Sequence, residues 1–388
     1  MNEWHIITGE YPPQPGGVSD YTRVVAHGLA DAGDGVSVWA PLCRSECSRP
    51  SAMSPEPSAI SHVDVHRLPN HFGIAALWML SRELDRRPAP RRLLVQYVPH
   101  AFGWKGGNVA FCAWLRSRTR DSIWVMFHEV AYPFGADESF AHNALAAVNR
   151  LMASLVAGAA ERAFVSIPAW QPQVRRLIGA RPIHWTPVPS SVPVAADGCE
   201  TARLRARYAY GSPLVGHFGT YGPSIRALLE PALCAIVRRT RAQILLLGRK
   251  SDRLADDFHA RHPELKGRVV GAGSLPGDAL SHHIAACDVM VQPYPDGISA
   301  RRTSAMAALA HGRATVTTAG WLTESLWEDS GAVSLVPVDA PDAIARAVAV
   351  LLDDPAARAA LSAKARAMYV DRFDIAHTIR ALREPSRT

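Results

Sequence analysis

The residues best suited to chemistry lie between positions 291 and 318, where an apolar predicted strand runs into a polar turn. The strand is predicted at 289–291 and the turn at 293–297, with a small-residue helix from about Ser299. Asp296 therefore follows the carboxyl end of a strand and precedes a helix N-terminus. Open parallel sheets bind ligands at that edge, and helix amides and the helix dipole favour an anion such as a phosphate.

Length and composition indicate two domains. The chain has 388 residues and is 48% hydrophobic, enough for two cores of ordinary size. No apolar run reaches the roughly 18 residues of a membrane span, and the first residues contain no basic leader, which predicts a cytoplasmic protein.

The net charge of +7 predicts mainly solvated surface charge, with peripheral contact at the inner face of a membrane left open. Nucleic acid is not indicated as a partner, because no basic stripe is interleaved with aromatic residues.

The six cysteines are scattered and indicate reduced thiols. Cys43 and Cys47 precede His62 and His66, but these spacings fit no usual zinc pattern and 44–61 reads as a loose loop. We therefore predict no metal site.

Strands and helices alternate along both halves of the chain, as in doubly wound α/β domains. In the first half, strands are predicted at 4–8, 36–40, 63–68, 93–98, 123–127, 163–167 and 183–188, and helices at 19–32 (with Ser19 as N-cap), 73–86, 106–118, 139–158 and 169–178. After a polar linker to about 212, strands follow at 214–218, 243–247, 269–270, 289–291, 314–318 and 333–337, and helices at 223–239, 252–260, 277–286, from 299, and at 340–353, 355–370 and 374–384. Uninterrupted apolar strands between helices indicate parallel sheets covered on both faces, with ligand loops facing a cleft.

With these features the chain resembles glycosyltransferase family 4, the retaining, sugar-nucleotide-dependent transferases of the GT-B fold. Three groups carry the resemblance: Gly16-Gly17 after the first strand, His128 at the end of a middle strand, and the stretch 293–312. The resemblance implies two Rossmann-like domains with a cleft between them. Residues 1–195 would form the acceptor-side domain, 196–370 the nucleotide-sugar domain, and 371–388 a helix crossing back to the first domain.

The resemblance also assigns roles in the first domain. Gly16 and Gly17 would contact the donor diphosphate, since a glycine turn lets backbone amides approach a phosphate closely. His128 would contact the transferred sugar and act in catalysis. His100, at another strand end, would lie on the acceptor side.

In the second domain, the family's two glutamates separated by seven residues align with Asp296 and Ser304. Asp296 keeps a carboxylate for the hydroxyls of the donor sugar, whereas Ser304 offers the ribose only neutral hydrogen bonds, about half as strong as those of a carboxylate. The amides of Gly297, Ile298 and Ser299 would contact the sugar and phosphates.

The family's arginine and lysine after the first strand of this domain are absent from loop 216–224, where Gly219 and Thr220 remain as expected donor contacts. The leaving diphosphate needs positive charge. The candidates are Arg249, Lys250, Arg301 and Arg302, of which the last two are predicted in the first turn of a helix, pointing in different directions. Leu275 lies in the loop expected to hold the nucleobase.

The resemblance implies a retaining glycosyltransferase that moves a sugar from a nucleotide diphosphate to an acceptor hydroxyl by a front-face route, without metal or other cofactor. Glycans, glycolipids and glycosylated metabolites are the expected products, with a lipid-linked, sugar or small-molecule acceptor. Two alternatives stay open: a nucleotide-sugar epimerase of the same fold, and a catalytically silent sugar-binding or scaffold subunit.

Overall fold

The computed structural model describes residues 2–42, 62–195 and 197–384. Cys43, Cys47 and the loop predicted at 44–61 lie outside the described residues. The described chain forms two compact units: unit 1 contains residues up to 187 together with those from 375 onward, and unit 2 contains 188–374.

Unit 1 is built on a seven-stranded parallel sheet in the order β3-β2-β1-β4-β5-β6-β7. Its strands are β1 Glu3–Thr8, β2 Gly35–Pro41, β3 Val63–Leu68, β4 Arg92–Tyr97, β5 Ser122–Phe127, β6 Arg162–Val165 and β7 Ile183–Trp185. Its first five helices are α1 Gly17–Asp31, α2 Ile74–Asp85, α3 Val109–Ser117, α4 Phe140–Ala159 and α5 Gln171–Ile178. The central strands are apolar because helices cover both faces of the sheet. The strand order reverses between β1 and β4.

Unit 2 contains a six-stranded parallel sheet in the order β10-β9-β8-β11-β12-β13. Its strands are β8 Leu214–Phe218, β9 Gln243–Leu247, β10 Val269–Gly271, β11 Val289–Gln292, β12 Ala314–Ala319 and β13 Ser334–Pro337. Its helices are α6 Gly198–Ala209, α7 Pro223–Arg239, α8 Ser251–Arg261, α9 Gly277–Ala286, α10 Thr303–Ala310, α11 Ser325–Ser330, α12 Pro341–Asp353 and α13 Pro355–Met368. The strand order reverses between β8 and β11. Such switch points are where open sheets bind ligands.

The last helix, α14 Ile375–Arg383, belongs to unit 1. It packs along α1, where a Cβ on Gly28 would lie 2.8 Å from Ile379 Cδ1. Arg383 adds a 3.1 Å ion pair to Asp34. Glycine at position 28 is therefore explained by the close approach of the two helices.

Three local predictions were wrong. The predicted polar linker contains α6, whose N-cap Asp197 accepts the amide of Cys199 at 2.8 Å. The first helix begins at Gly17 and not at Ser19, because the Ser19 hydroxyl donates to Gln14 O instead of capping. The helix predicted from Ser299 begins at Thr303.

No helix among the described residues is long and apolar enough to cross a membrane.

Candidate functional site

The carboxyl ends of three adjacent strands of unit 2 border a pocket of about 440 Å³. The loops after β8, β11 and β12 contribute Thr220, Pro295, Asp296, Arg302 and Trp321, and the start of α7 contributes Gly222, Ser224 and Ile225. The pocket therefore lies at the switch point between β8 and β11. The first amides of the 17-residue helix α7 lie on its edge, where a helix favours negative charge.

Asp296 holds two arginines at this pocket. Arg301 Nη2 donates to Asp296 Oδ2 at 3.0 Å, and Arg302 Nη2 donates to Asp296 Oδ1. The prediction that these arginines diverge from a helical turn was wrong, because the helix begins only at Thr303 and both guanidinium groups converge on one carboxylate. A carboxylate has about four acceptor positions, so Asp296 retains capacity for ligand hydroxyls.

Ser304, on α10, is part of a neutral group beside the arginines. Its Oγ lies 2.8 Å from Tyr294 Oη, and the Arg302 guanidinium stacks 4.6 Å from the centre of the Tyr294 ring. Burial raises the pKa of Tyr294 to about 12, so the phenol stays protonated at neutral pH. Tyr294 therefore supports both Ser304 and Arg302.

His217, inside β8, directs its Nε2 atom toward Gly219, in the loop after β8. His217 Nδ1 lies 2.7 Å from the carbonyl oxygen of Val291, so Nδ1 carries the proton and Nε2 is an acceptor. Nε2 has no partner among the described residues and lies 3.5 Å from where a Cβ on Gly219 would stand; Ser304 Oγ lies 3.8 Å from that point. Burial lowers the pKa of His217 to about 4, which keeps it neutral. Sequence reasoning missed His217, whose one signal was a polar residue inside an apolar strand.

Internal hydrogen bonds hold the loop after β11. The amide of Gly297 donates to Tyr294 O at 3.1 Å and that of Ile298 to Thr318 O at 2.8 Å. The Glu324 carboxylate accepts the amide of Ala300 at 3.0 and 3.2 Å, and burial raises the pKa of Glu324. Two of the three amides expected to contact a ligand therefore already have acceptors in the chain.

Ser299, which follows Ile298 in this loop, is fully buried, and its Oγ has no partner in the described part of the chain.

The other predicted contacts of unit 2 lie at neighbouring strand ends. Arg249 and Lys250 follow β9 and are exposed, and Leu275 follows β10 and packs partly against the core. Of the four candidate cations, Arg302 alone is among the described residues that line the pocket. Sequence reasoning missed Trp321, which lines the pocket with an exposed indole just after β12.

In unit 1, the loops after β1 and β4 meet at the other switch point. A Cβ on Gly9 would lie 2.3 Å from the carbonyl oxygen of Ala101, so the two loops are in close contact. Glu10 Oε1 accepts the amides of Val18 and Ser19, each at 3.1 Å. The start of α1, where the glycine pair was predicted to present amides to a phosphate, therefore already binds a carboxylate of the same chain.

A second carboxylate, Asp20, lies in the first turn of α1. Its pKa is raised to about 6, chiefly by burial; Arg23 opposes the shift and the charge of Glu10 contributes to it. Burial also raises the pKa of Glu10. The helix start is therefore an acidic region, and sequence reasoning missed both carboxylates.

The two predicted histidines of unit 1 differ in burial. His128 follows β5; its Nε2 lies 2.8 Å from Gln96 Oε1, its ring contacts Tyr21 edge-on, and burial lowers its pKa to about 3. His100 is exposed after β4, stacked on Tyr132 with Nδ1 3.9 Å from Glu129 Oε2. His128 is a neutral hydrogen-bonding group, and His100 is accessible to an acceptor.

Among the described residues, no group of three or more histidine, cysteine or acidic side chains is placed to hold a metal ion. That the reaction needs no metal stays a prediction.

Residues 213–354, within unit 2, match the family model described as glycosyl transferases group 1. No curated protein sequence matches the chain.

Solved structures resemble the whole chain. Sucrose-phosphate synthase from Thermosynechococcus elongatus is 17% identical, with a TM-score of 0.71 over 98% of this chain and 97% of that one. Anabaena HepE in complex with UDP and glucose is 14% identical, with a TM-score of 0.71 over 98% of each chain. WaaG, a glycosyltransferase involved in lipopolysaccharide biosynthesis, is 14% identical, with a TM-score of 0.67 over 98% of each. At these identities the likeness concerns the fold, and it confirms the predicted pair of parallel α/β domains of GT-B type.

Proposed function

We propose that this chain, a glycosyltransferase whose C-terminal unit belongs to the glycosyl transferases group 1, binds a nucleotide-diphosphate sugar in the pocket of unit 2 and transfers the sugar to an acceptor hydroxyl with retention. The observation that carries the proposal is the convergence of Arg301 and Arg302 on Asp296 beside the start of α7. Guanidinium groups and helix amides are the groups that bind a diphosphate without a metal.

Each group has a defined task in this proposal. As the bond between the sugar and the β-phosphate lengthens, negative charge grows on the leaving diphosphate, and Arg302 with the α7 amides stabilises it. Asp296 holds the arginine in position and accepts sugar hydroxyls. The exposed indole of Trp321 offers a flat apolar face to a sugar ring.

The proton balance requires no protein base. In the front-face route a leaving phosphate oxygen takes the proton of the acceptor hydroxyl while the acceptor oxygen bonds to the anomeric carbon on the face that the phosphate leaves. Neutral His128 would orient the sugar through a hydrogen bond and would not take up this proton, since its pKa of about 3 leaves it a very weak base.

The structure of Anabaena HepE with UDP and glucose supports a uridine diphosphate sugar as the first donor to test. The likeness to WaaG, named for lipopolysaccharide biosynthesis, supports a glycan or glycolipid acceptor. The proposed setting is the cytoplasm, with reversible contact at the inner face of the membrane.

The missing second carboxylate at Ser304 favours one other candidate, a sugar-binding subunit without activity. Such a subunit would bind a nucleotide sugar and leave it intact. An epimerase of the same fold would release product without an acceptor.

The decisive experiment screens uridine and guanosine diphosphates and their sugars by thermal shift, then measures donor turnover with and without acceptors. A ligand at ten times its Kd should add about 1.4 kcal/mol of stability. Asp296→Ala should reduce transfer at least roughly 100-fold, because both arginines lose their acceptor. Normal turnover by that variant would contradict the assigned site, and binding without turnover by the wild type would support the silent subunit.

A further inference from the structure

The helix α2 of unit 1 is apolar on both of its faces over its first two turns. Its inner face buries Ala76, Leu77, Leu80 and Leu84 in the core. On its outer face Ile74 is 75% exposed, Trp78 63% and Met79 42%. A helix that is apolar all round is normally covered on both sides, so this outer face needs a partner.

A second exposed tryptophan lies on the loop next to the start of α2. Trp104 is 53% exposed and has a φ of 51°, a left-handed conformation that is rare for a bulky residue. The Asn108 side-chain amide donates to the carbonyl oxygens of Phe72 and Phe102, which fastens this loop to the residues before α2. Ile74, Trp78, Met79 and Trp104 therefore lie on adjoining elements; we call them the tryptophan surface.

Positive charge accompanies the tryptophan surface. The Arg82 guanidinium lies 5.6 Å from the centre of the Trp78 ring, and Lys105 directly follows Trp104. The acidic side chains of α2 are engaged elsewhere, Glu83 with Arg86 at 2.6 Å and Asp85 with Arg91 and Arg118. The exposed apolar groups are thus flanked by cations whose charge these acids do not cancel.

We propose that the tryptophan surface binds an anionic lipid bilayer in its interfacial layer, with the first two turns of α2 lying on the membrane. Tryptophan suits the boundary between headgroups and acyl chains because its ring is apolar and its N–H needs a polar partner. Arginine and lysine can bury their stems there while keeping their charges beside the lipid phosphates. Charge complementarity therefore selects an anionic membrane over a neutral one as the occupant.

The tryptophan surface gives the membrane contact of the proposed function a defined place on the chain, and lipid binding there does not depend on sugar transfer. Binding through a short helical face and two basic side chains would be weak and reversible, as for an interfacial helix rather than a spanning one. It would bring a glycosyltransferase to acceptors anchored in the bilayer. A protein that binds lipid but transfers no sugar would disprove only the proposed function.

The test is flotation of the purified full chain with two kinds of phosphatidylcholine vesicle. One kind contains about one third of the anionic lipid phosphatidylglycerol, and the other contains none. The wild type should float with the anionic vesicles and stay at the bottom with the neutral ones. The double variant Trp78→Ser/Trp104→Ser should lose flotation while keeping its unfolding temperature, since both side chains are exposed. Tyr210→Ser is the matched control, because Tyr210 is a 72% exposed aromatic residue of unit 2, and it should float like the wild type.

The electrostatic part is tested with Arg82→Gln/Lys105→Gln, which should lower the partition coefficient about 25-fold, at about 5-fold per basic residue. Absence of flotation by the wild type, or equal flotation by the double tryptophan variant, would overturn the proposal. A wild-type dimer in sedimentation that the tryptophan substitutions convert to a monomer would also overturn it, in favour of a second copy as the partner.

Discussion

At the residue scale, one carboxylate organises the cationic side of the pocket. Asp296 binds Arg301 and Arg302 through different oxygens, and Tyr294 packs beneath the second guanidinium. The loop after β8 contains no arginine or lysine. We therefore propose that the positive charge expected of that loop comes in this chain from residues that follow β11.

Arg302 should matter more to nucleotide binding than the exposed cations after β9. Replacing Arg302 with Gln removes a charge-assisted contact to the diphosphate and should raise the Kd for the nucleotide diphosphate roughly tenfold or more. Arg249→Gln is the matched control and should change the Kd less than about threefold, as an exposed cation acting only through solvent. Isothermal titration would measure both, and a larger effect at Arg249 would contradict the placement of the phosphates.

At the element scale, the two helices that begin at the switch points differ in what their first amides meet. The start of α1 binds the Glu10 carboxylate, whereas the start of α7 lines the pocket beside Arg302. Both arrangements satisfy the tendency of a helix N-terminus to bind negative charge. In unit 1 the chain supplies this charge itself, and in unit 2 we assign it to the donor.

Glu10 should stabilise unit 1. Glu10→Ala removes the acceptor for two amides and should lower stability by about 1 kcal/mol, the usual effect of losing a helix cap. Glu10→Gln keeps an acceptor oxygen but loses the charge, so its unfolding temperature should lie between those of the wild type and the alanine variant. Thermal unfolding at neutral pH measures this, and an unchanged temperature for Glu10→Ala would refute the capping role.

The predicted phosphate contact at Gly17 can be separated from its structural role. A Cβ at Gly17 would meet no atom within 4 Å, so Gly17→Ala should leave the unfolding temperature equal or slightly higher. Any fall in donor turnover would then report a ligand that approaches this backbone. Unchanged turnover would remove Gly17 from the donor site.

Gly297→Ala is the opposite case and serves as the comparison. Gly297 has a φ of 83°, and its Cβ would lie 2.2 Å from Thr323 Oγ1 and 2.3 Å from the amide of Gly320. The substitution should lower stability by roughly 1–3 kcal/mol and displace the loop that contains Asp296. Wild-type stability in this variant would show that the loop relaxes freely.

At the scale of the whole molecule, both units bury neutral histidines. Burial lowers the pKa of His5, His217 and His311 to about 4 and that of His128 to about 3. Each folded pKa lies below the ordinary histidine value of 6.5. Between the folded pKa and pH 6.5, the unfolded chain therefore binds more protons than the folded chain. The contribution of these histidines to the free energy of unfolding is therefore complete above about pH 6.5 and is lost as the pH falls toward 4.

Unfolding temperatures should consequently decrease between pH 7 and pH 5. Each histidine with a folded pKa near 4 contributes a loss of about 2 kcal/mol at pH 5, partly offset by the raised pKa of Asp20. Calorimetry across this range measures the summed effect, and an unfolding temperature that stays constant or rises as the pH falls would contradict the prediction. His311→Gln should reduce the slope, because its hydrogen bonds to Ser281 and Ala307 hold a neutral ring.

Part of the candidate site could be predicted from local patterns and part could not. Thr220, Asp296 and Arg302 were predicted singly and lie in one pocket, because each follows a strand of the same parallel sheet. Arg249 and Lys250 also follow a strand, yet they lie outside that pocket. A strand-end position indicates the correct edge of the sheet but does not indicate which side chains meet there.

The sequence by itself determined the two parallel α/β domains, since alternating apolar strands and helices leave few ways to cover both faces of a sheet. Only the tertiary structure decided that Glu10 binds the start of α1, that Asp296 binds two arginines, that His217 Nε2 lies near Gly219, and that Trp321 lines the pocket. These contacts join groups on separate loops or turns, and their distances depend on how the strands pack, which no local pattern of residues specifies.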